Sequence, residues 1–131
     1  MKHIVFVCVE NSCRSQMAEA WARHLGRRRV RAWSAGSRPS GEVNPLARQV
    51  MRERGIDLTE AVSKGFEALP EVTWDVVVTM GCGDRCPWLP ARARVNWDIP
   101  DPKGQPIEVF RRVRDEIERR VRELLEALDS A

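Results

Sequence analysis

The chain has 131 residues, of which 43% are hydrophobic and 31% charged, and its formal net charge at pH 7 is +3. This length and apolar content suit one domain over residues 1–131 with a single buried core. The small basic excess does not indicate nucleic acid binding, and no apolar run approaches the ~20 residues of a membrane span. We expect a monomeric cytoplasmic protein that binds neither nucleic acid nor membrane.

The first predicted strand and helix flank a short loop. Ile4–Val9 is a continuous apolar run, which is typical of a central parallel strand buried on both faces. Apolar side chains then recur at helical spacing. This spacing predicts a helix over Arg14–Leu25, with Ser12 as its N-cap and Gly26 just beyond its end.

Six further elements are predicted downstream. In chain order they are a strand over Val30–Ser34, a helix over Pro45–Arg54, a helical turn over Phe66–Leu69, strands over Asp75–Met80 and Val95–Trp97, and a helix over Ile107–Leu128. The alternation of strands and helices predicts an α/β fold, in which a small parallel sheet carries helices on both faces.

Three loops after these strands carry reactive side chains. Cys8 and Arg14 frame the first loop, Cys82 and Cys86 lie in the second, and Asp101 lies in the third. Because the carboxyl ends of parallel strands meet at one edge of a sheet, we expect the three loops to converge there.

The first loop suits a tetrahedral oxyanion. Five residues separate Cys8 from Arg14, and an anion between them would meet backbone N–H groups, the positive end of a helix and a guanidinium. The same field favours the thiolate of Cys8, to which Ser15 can donate a hydrogen bond, and Asp101 is suited to protonate a leaving oxygen. The residues expected to bind the oxyanion are Val9, Glu10, Asn11, Ser12, Cys13 and Arg14.

The other thiols have more than one interpretation. Cys13 is expected to be a small buried packing residue rather than a catalytic partner. Cys82 and Cys86 could supply two ligands of a metal site, but the chain has only two histidines, so we expect no metal. The first loop could also capture phosphate or sulfate without catalysing any reaction.

Several motifs occur together in a fixed order. They are Cys8-x5-Arg14-Ser15, Ser34-Ala35-Gly36, Val77-Val78-Thr79-Met80 and Asp101-Pro102. This set resembles the low-molecular-weight protein tyrosine phosphatase superfamily, and the resemblance implies a four-stranded sheet in the order 2-1-3-4. The run from Gly81 through Cys86-Pro87 is more similar to the arsenate reductases of that superfamily.

The resemblance implies a thiol relay that reduces arsenate to arsenite in arsenic detoxification. Cys8 would attack arsenic, Cys82 would attack Cys8, and Cys86 would then attack Cys82. No bound cofactor is implied beyond the redox-active disulfide. Thioredoxin is the first expected reductant, and mycothiol, or glutathione with a glutaredoxin-like protein, is the alternative.

A tyrosine phosphatase activity is the second interpretation. Phosphatases of this fold stack the substrate ring on aromatic side chains beside the Asp-Pro pair. Here Asp101-Pro102 is followed by Lys103-Gly104, and the chain has no tyrosine. These features favour the reductase, with hydrolysis of aryl phosphates as the alternative activity.

Some relatives also place a potassium ion beside the loop. Asn11, Glu19 and Ser34 match the residues used there, but Lys64 stands where we would align an aspartate. Because a lysine ammonium would take the electrostatic role of the cation, we expect little dependence on potassium.

Overall fold

The computed structural model describes residues 1–81 and 88–129. Within these two ranges the chain forms four strands, three α-helices and one turn of 3₁₀ helix. In chain order they are β1 (Lys2–Cys8), α1 (Arg14–Leu25), β2 (Val30–Gly36), α2 (Pro45–Arg52), the 3₁₀ helix (Phe66–Ala68), β3 (Trp74–Thr79), β4 (Ala91–Asn96) and α3 (Ile107–Asp129).

The four strands form one parallel sheet in the order β2-β1-β3-β4. The predicted α/β fold and its strand order 2-1-3-4 are therefore confirmed. At the carboxyl edge Cys8 is opposite Gly36 and Val7 is opposite Thr79. This register brings the loops that follow β1, β2 and β3 to the same end of the molecule.

The side chains of β1 alternate between two apolar clusters. Ile4 and Phe6 belong to a large cluster that includes buried residues of all three α-helices. Val5 and Val7 belong to a smaller one, against which the 3₁₀ helix residue Phe66 packs. Both faces of the strand are thus covered, which explains why its sequence is a continuous apolar run. No helix within the two described ranges is long and apolar enough to cross a membrane.

Helix α1 has the predicted boundaries, but its N-cap differs from the prediction. The cap position is Cys13, which makes no side-chain capping hydrogen bond, so the assignment of Ser12 as the cap is wrong. The Ser12 carbonyl instead accepts a hydrogen bond from the N–H of Asn44, at 3.0 Å. The helix ends at Leu25, and Gly26 is its C-cap as expected, with its N–H donating to the Ala22 carbonyl.

The last strand is longer than its sequence indicates. The prediction began at Val95, whereas β4 begins at Ala91 and includes the exposed side chains of Arg92 and Arg94. An edge strand needs no continuous apolar run, and charged side chains are common on such edges. The first four residues of β4, 91–94, therefore lack the continuous apolar run by which a buried strand is predicted.

A network of charged side chains joins α2 to α3. The buried guanidinium of Arg114 donates to the Val50 carbonyl, at 3.0 Å, and to Glu53 Oε1, at 2.7 Å. Arg111 makes a second ion pair with Glu53. Hydrogen bonds from Arg111, and then from Arg114, lower the pKa of the Glu53 carboxyl from 4.5 to about 2.

The shifted pKa of Glu53 predicts an acid-dependent loss of stability. Its carboxylate stabilises the folded state fully above pH 4.5, and this contribution disappears as the pH falls toward 2. Glu53→Gln should therefore be destabilising near neutral pH, and its deficit relative to the wild type should shrink on acidification. Urea unfolding at about pH 6 and about pH 3 measures the difference.

Glu71→Gln is the matched control, because Glu71 is an exposed carboxyl outside this network. Its free energy of unfolding should follow the wild type at both pH values. A deficit of Glu53→Gln that stayed constant between the two would contradict the assignment.

Candidate active site

A cavity of about 390 Å³ opens at the carboxyl edge of the sheet. It is lined by Cys8, Val9, Glu10, Ser12, Cys13, Arg14, Gly81, Asp101 and Lys103. The structure therefore brings the first loop together with Asp101, the side chain predicted from the third loop. Cys82 and Cys86 lie outside the described residues.

The carbonyl groups of the first loop are all occupied by donors that do not line this cavity. The carbonyls of Cys8 and Val9 accept from the N–H groups of Ser37 and Arg38, and that of Glu10 accepts from the Ser40 N–H and the Ser63 hydroxyl. The carbonyls of Asn11, Ser12 and Cys13 accept from the side-chain amide of Gln16, the Asn44 N–H and the Met17 N–H, respectively. Carbonyl oxygens repel an anion, so this arrangement favours anion binding by the N–H groups of the loop and the N-terminus of α1.

Asn11 holds the turn of the loop. Its backbone is left-handed, with φ of 54°, and its side chain is completely buried. The side-chain Nδ2 donates to Ser15 Oγ at 2.7 Å, and Oδ1 accepts from Gln16 Nε2 at 2.8 Å and from the Lys64 N–H at 2.9 Å. Asparagine tolerates a left-handed backbone when its amide finds local partners of this kind.

The sulfur of Cys8 lies between two polar groups. The Asn11 N–H donates to Cys8 Sγ at 3.2 Å, and Ser15 Oγ lies 2.8 Å from the same sulfur. Because the Ser15 oxygen already accepts from Asn11, its own proton is available to point at the sulfur. Two donors aimed at one sulfur, beside the N-terminus of a helix, stabilise a thiolate.

Cys13 is in a different environment from Cys8. It is buried within the large apolar cluster, and burial raises the pKa of its thiol to about 11. Cys13 is therefore a neutral thiol at pH 7. A protonated, buried thiol is a poor nucleophile, and this environment suits a packing residue.

Arg14 connects the first loop to the third. Its Nη1 donates to the Ile99 carbonyl at 3.0 Å, and its Nη2 lies 3.7 Å from Asp101 Oδ2. The guanidinium is largely buried but still lines the cavity. The guanidinium of Arg14 can therefore contact a bound oxyanion and the carboxyl group of Asp101 at the same time.

Two glycines allow neighbouring backbone to lie close to the first loop and to Arg14. A Cβ atom on Gly36 would lie 2.5 Å from the Val9 carbonyl oxygen, and one on Gly81 would lie 2.7 Å from Arg14 Nη1. Gly81 also has a left-handed φ of 80°. The sequence marks both glycines as strand ends, but their contacts with the first loop depend on tertiary structure.

The environment of Lys64 does not fit a potassium site of the kind that the resemblance implies. Lys64 Nζ lies 3.4 Å from Glu19 Oε1 and 3.3 Å from Ser34 Oγ. Ser34 also donates to Glu19, whose second carboxylate oxygen pairs with Arg23 at 2.7 Å. The ammonium of Lys64 therefore already supplies positive charge beside Glu19 and Ser34.

The chain is similar over most of its length to known proteins. A model of the family described as low molecular weight phosphotyrosine protein phosphatase matches residues 3–131. A Synechocystis protein named glutaredoxin arsenate reductase is 41% identical over 128 residues, which cover 95% of this chain and 97% of that protein.

Solved structures of arsenate reductases are also similar to nearly the whole chain. An arsenate reductase in the phosphate binding state has a TM-score of 0.88 at 40% identity, covering 97% of this chain and 98% of that one. A thioredoxin-dependent arsenate reductase from Corynebacterium glutamicum has a TM-score of 0.81 at 33% identity, covering 98% of this chain and 62% of that one.

The contact between Ser15 and Cys8 predicts the reactivity of the thiol. Ser15→Ala removes one donor to the sulfur, so alkylation of Cys8 by iodoacetamide at neutral pH should slow by roughly three- to tenfold, the scale of one typical intramolecular hydrogen bond. Mass spectrometry of the peptide that contains Cys8 measures the rate for this thiol alone.

Thr73→Ala serves as the matched control, because it removes an exposed hydroxyl at the amino end of β3. Its alkylation rate should equal that of the wild type. An unchanged rate in Ser15→Ala would show that the hydroxyl does not support the thiolate.

Proposed function

Since the chain belongs to the low molecular weight phosphotyrosine protein phosphatase family, we propose that it is an arsenate reductase with Cys8 as its nucleophile. The observation that carries the proposal is the environment of the Cys8 sulfur, which has two donors and faces a cavity closed by Arg14. The near full-length similarity to proteins named arsenate reductases selects this reaction from those that such a cavity permits.

Arsenate binding uses the first loop. The backbone N–H groups from Val9 to Arg14 surround the oxyanion, and the guanidinium of Arg14 donates to its oxygens. Phosphate and sulfate are tetrahedral oxyanions of similar size, so they compete for the same cavity.

The first chemical step joins sulfur to arsenic. The Cys8 thiolate attacks arsenic, an S–As bond forms, and one oxygen leaves as water after receiving a proton from the carboxyl group of Asp101. Asp101 lines the cavity beside Arg14, which supports its role as the general acid.

The second step transfers two electrons. The Cys82 thiolate attacks Cys8 Sγ, and a Cys8–Cys82 disulfide forms as the S–As bond breaks. The electron pair of that bond goes to arsenic, which leaves as arsenite. Cys86 then attacks Cys82, which frees Cys8 and leaves a Cys82–Cys86 disulfide. Gly81, the residue before Cys82, lines the cavity, which supports Cys82 as the thiol that attacks Cys8.

An external thiol reductant must reduce this disulfide in each cycle. Thioredoxin is our first choice, because a structural relative is named a thioredoxin-dependent arsenate reductase. The Synechocystis relative is named for glutaredoxin, so glutathione with glutaredoxin is the alternative, as is mycothiol. Only three residues separate Cys82 from Cys86, which limits the geometry of the last exchange.

Hydrolysis of an aryl phosphate is the second candidate function. The family description and the anion-binding loop both favour it. On the rim of the cavity, however, Asp101 is followed after one proline by a lysine rather than an aromatic side chain. A phosphoryl group on Cys8 would be released by water, and this reaction needs neither Cys82 nor Cys86.

The relay predicts different phenotypes for the three thiols. Cys8→Ser and Cys82→Ser should both abolish arsenite formation, because each removes a bond-forming sulfur. Cys86→Ser should release about one arsenite per enzyme and then stop. NADPH consumption with arsenate measures turnover, in parallel assays with thioredoxin and its reductase and with glutathione, glutaredoxin and glutathione reductase.

Thr73→Ser, which changes an exposed side chain that does not line the cavity, is the control variant and should retain turnover. Failure of the wild type to consume NADPH with arsenate in every thiol system would overturn the reductase proposal. Hydrolysis of p-nitrophenyl phosphate that survives Cys82→Ser would support the phosphatase instead.

The position of Lys64 predicts the response to monovalent cations. Because its ammonium already lies beside Glu19 and Ser34, arsenate turnover should be the same in potassium chloride and sodium chloride of equal concentration. Steady-state kinetics in the two salts measure this directly. A clear activation by potassium but not by sodium would contradict the prediction.

A further inference from the structure

One ion pair crosses the mouth of the cavity and joins two distant parts of the chain. Lys103 Nζ donates to both carboxylate oxygens of Glu10, at 2.7 and 2.8 Å. Glu10 belongs to the first loop, Lys103 follows Asp101 and Pro102 in the third loop, and both side chains line the cavity. We call this ion pair the Lys103–Glu10 latch.

Each end of the latch is fixed by its own backbone. The Glu10 carbonyl accepts hydrogen bonds from the Ser63 hydroxyl, at 2.7 Å, and from the Ser40 N–H, at 3.2 Å. Lys103 lies within a tight turn in which the Gln105 N–H donates to the Pro102 carbonyl and Gly104 has a left-handed φ of 81°. Short turns of this type set the direction of the side chains that they carry.

The same turn orients Asp101. The Lys103 N–H donates to Asp101 Oδ1 at 3.1 Å, which leaves Oδ2 facing Arg14 at 3.7 Å. The side chain of Lys103 thus anchors to the first loop while its backbone N–H holds the carboxyl group of Asp101. If the ammonium were released, the turn would keep its internal hydrogen bond but lose its side-chain contact with Glu10 of the first loop.

The latch also changes the charge of the cavity. Glu10 places a carboxylate in a cavity built for an anion, and the ammonium of Lys103 neutralises it. The hydrogen bonds from Lys103 to Glu10 raise the pKa of the lysine, so it remains charged in the pH range of any assay near neutrality.

We propose that the Lys103–Glu10 latch positions Asp101 over the oxyanion cavity, and that Lys103 is a positioning residue for proton transfer to the leaving oxygen. This inference rests on the proposed function, in which Asp101 is the general acid. Lys103 acts through Asp101 and need not contact the oxyanion.

Two single variants separate positioning from charge. Lys103→Met and Glu10→Gln both break the latch, so both should lower kcat for arsenate by about three- to fivefold, the scale of a partly exposed ion pair. Their effects on KM should differ. Lys103→Met leaves the Glu10 charge unpaired and should raise KM, whereas Glu10→Gln removes a negative charge and should not raise it.

The dependence on Asp101 is the decisive measurement. In an Asp101→Asn background, neither Lys103→Met nor Glu10→Gln should lower kcat further, because the group that they position is gone. Lys103→Arg should retain most of the wild-type kcat. The charge-reversed pair Glu10→Lys with Lys103→Glu should recover kcat to within about twofold of the wild type, since it restores the ion pair.

Arg28→Met is the matched control for the loss of one positive charge. Arg28 is exposed between α1 and β2, at the opposite edge of the sheet from the cavity. Its kcat and KM should equal those of the wild type. If Arg28→Met and Lys103→Met changed kcat and KM equally, Lys103 would act only through the net charge of the protein. That result would overturn the proposal.

Hydrogen exchange tests the latch without any arsenate chemistry. The peptide that spans residues 99–106 should exchange faster in Lys103→Met and in Glu10→Gln than in the wild type, and the charge-reversed pair should restore slow exchange. Absence of arsenate turnover in the wild type would defeat the proposed function alone. Unchanged exchange in both single variants, or a kcat for Glu10→Gln equal to the wild type, would defeat the latch.

Discussion

The left-handed turn at Asn11 is the constraint on which the site depends. It allows the Asn11 N–H to point at the Cys8 sulfur while the Asn11 carbonyl accepts a hydrogen bond from Gln16. The side-chain amide then connects the loop to Ser15 and to the backbone of Lys64. A residue without this amide would have to adopt an unfavourable backbone conformation and would leave those partners unsatisfied. The Cys8 sulfur, the Ser15 hydroxyl beside it and the turn itself therefore share one anchoring residue, Asn11.

Parallel strand register brings the other parts of the site to this loop. Cys8 is paired with Gly36 on β2, and Gly81, two residues beyond the end of β3, lies next to the guanidinium of Arg14. Both neighbouring positions need glycine, because a Cβ at either one would collide with the loop or with Arg14. On the rim, Arg14 pairs with Asp101 and Lys103 pairs with Glu10, so each of these positive side chains faces a carboxylate. The N–H groups of the loop are thus the part of the site whose attraction for an anion is not offset by a neighbouring carboxylate.

The sequence predicted those parts of the fold that local pattern determines. The boundaries of α1 were correct, since its apolar spacing had a clear start and end. The prediction of β1 as a central strand was correct because its run is apolar on both faces, although the strand spans Lys2–Cys8 rather than Ile4–Val9. Helix α2 ended two residues before its predicted end, and β4 was longer than predicted because its arginines face solvent at the sheet edge.

Contacts between distant residues could not be predicted in the same way. The grouping of Cys8, Arg14 and Asp101 followed from the general rule for parallel sheets. The pairing of Glu10 with Lys103, 93 positions apart, follows no periodicity, and neither does the contact of Gly81 with Arg14.

The cavity alone does not distinguish arsenate chemistry from phosphate chemistry. Both oxyanions are tetrahedral, both meet the same N–H groups, and both can be attacked by Cys8.

The two reactions diverge only after the covalent intermediate forms. Arsenic can accept the electron pair of its bond to sulfur when a second thiol attacks that sulfur, whereas a phosphoryl group must be released by water. The outcome therefore depends on whether a thiol or a water molecule reaches Cys8 first. The chain that leaves β3 passes through Gly81, against Arg14, immediately before the sequence reaches Cys82. In the proposed relay, the choice between reduction and hydrolysis is made at the second loop, and the first loop supplies only the step that the two reactions share.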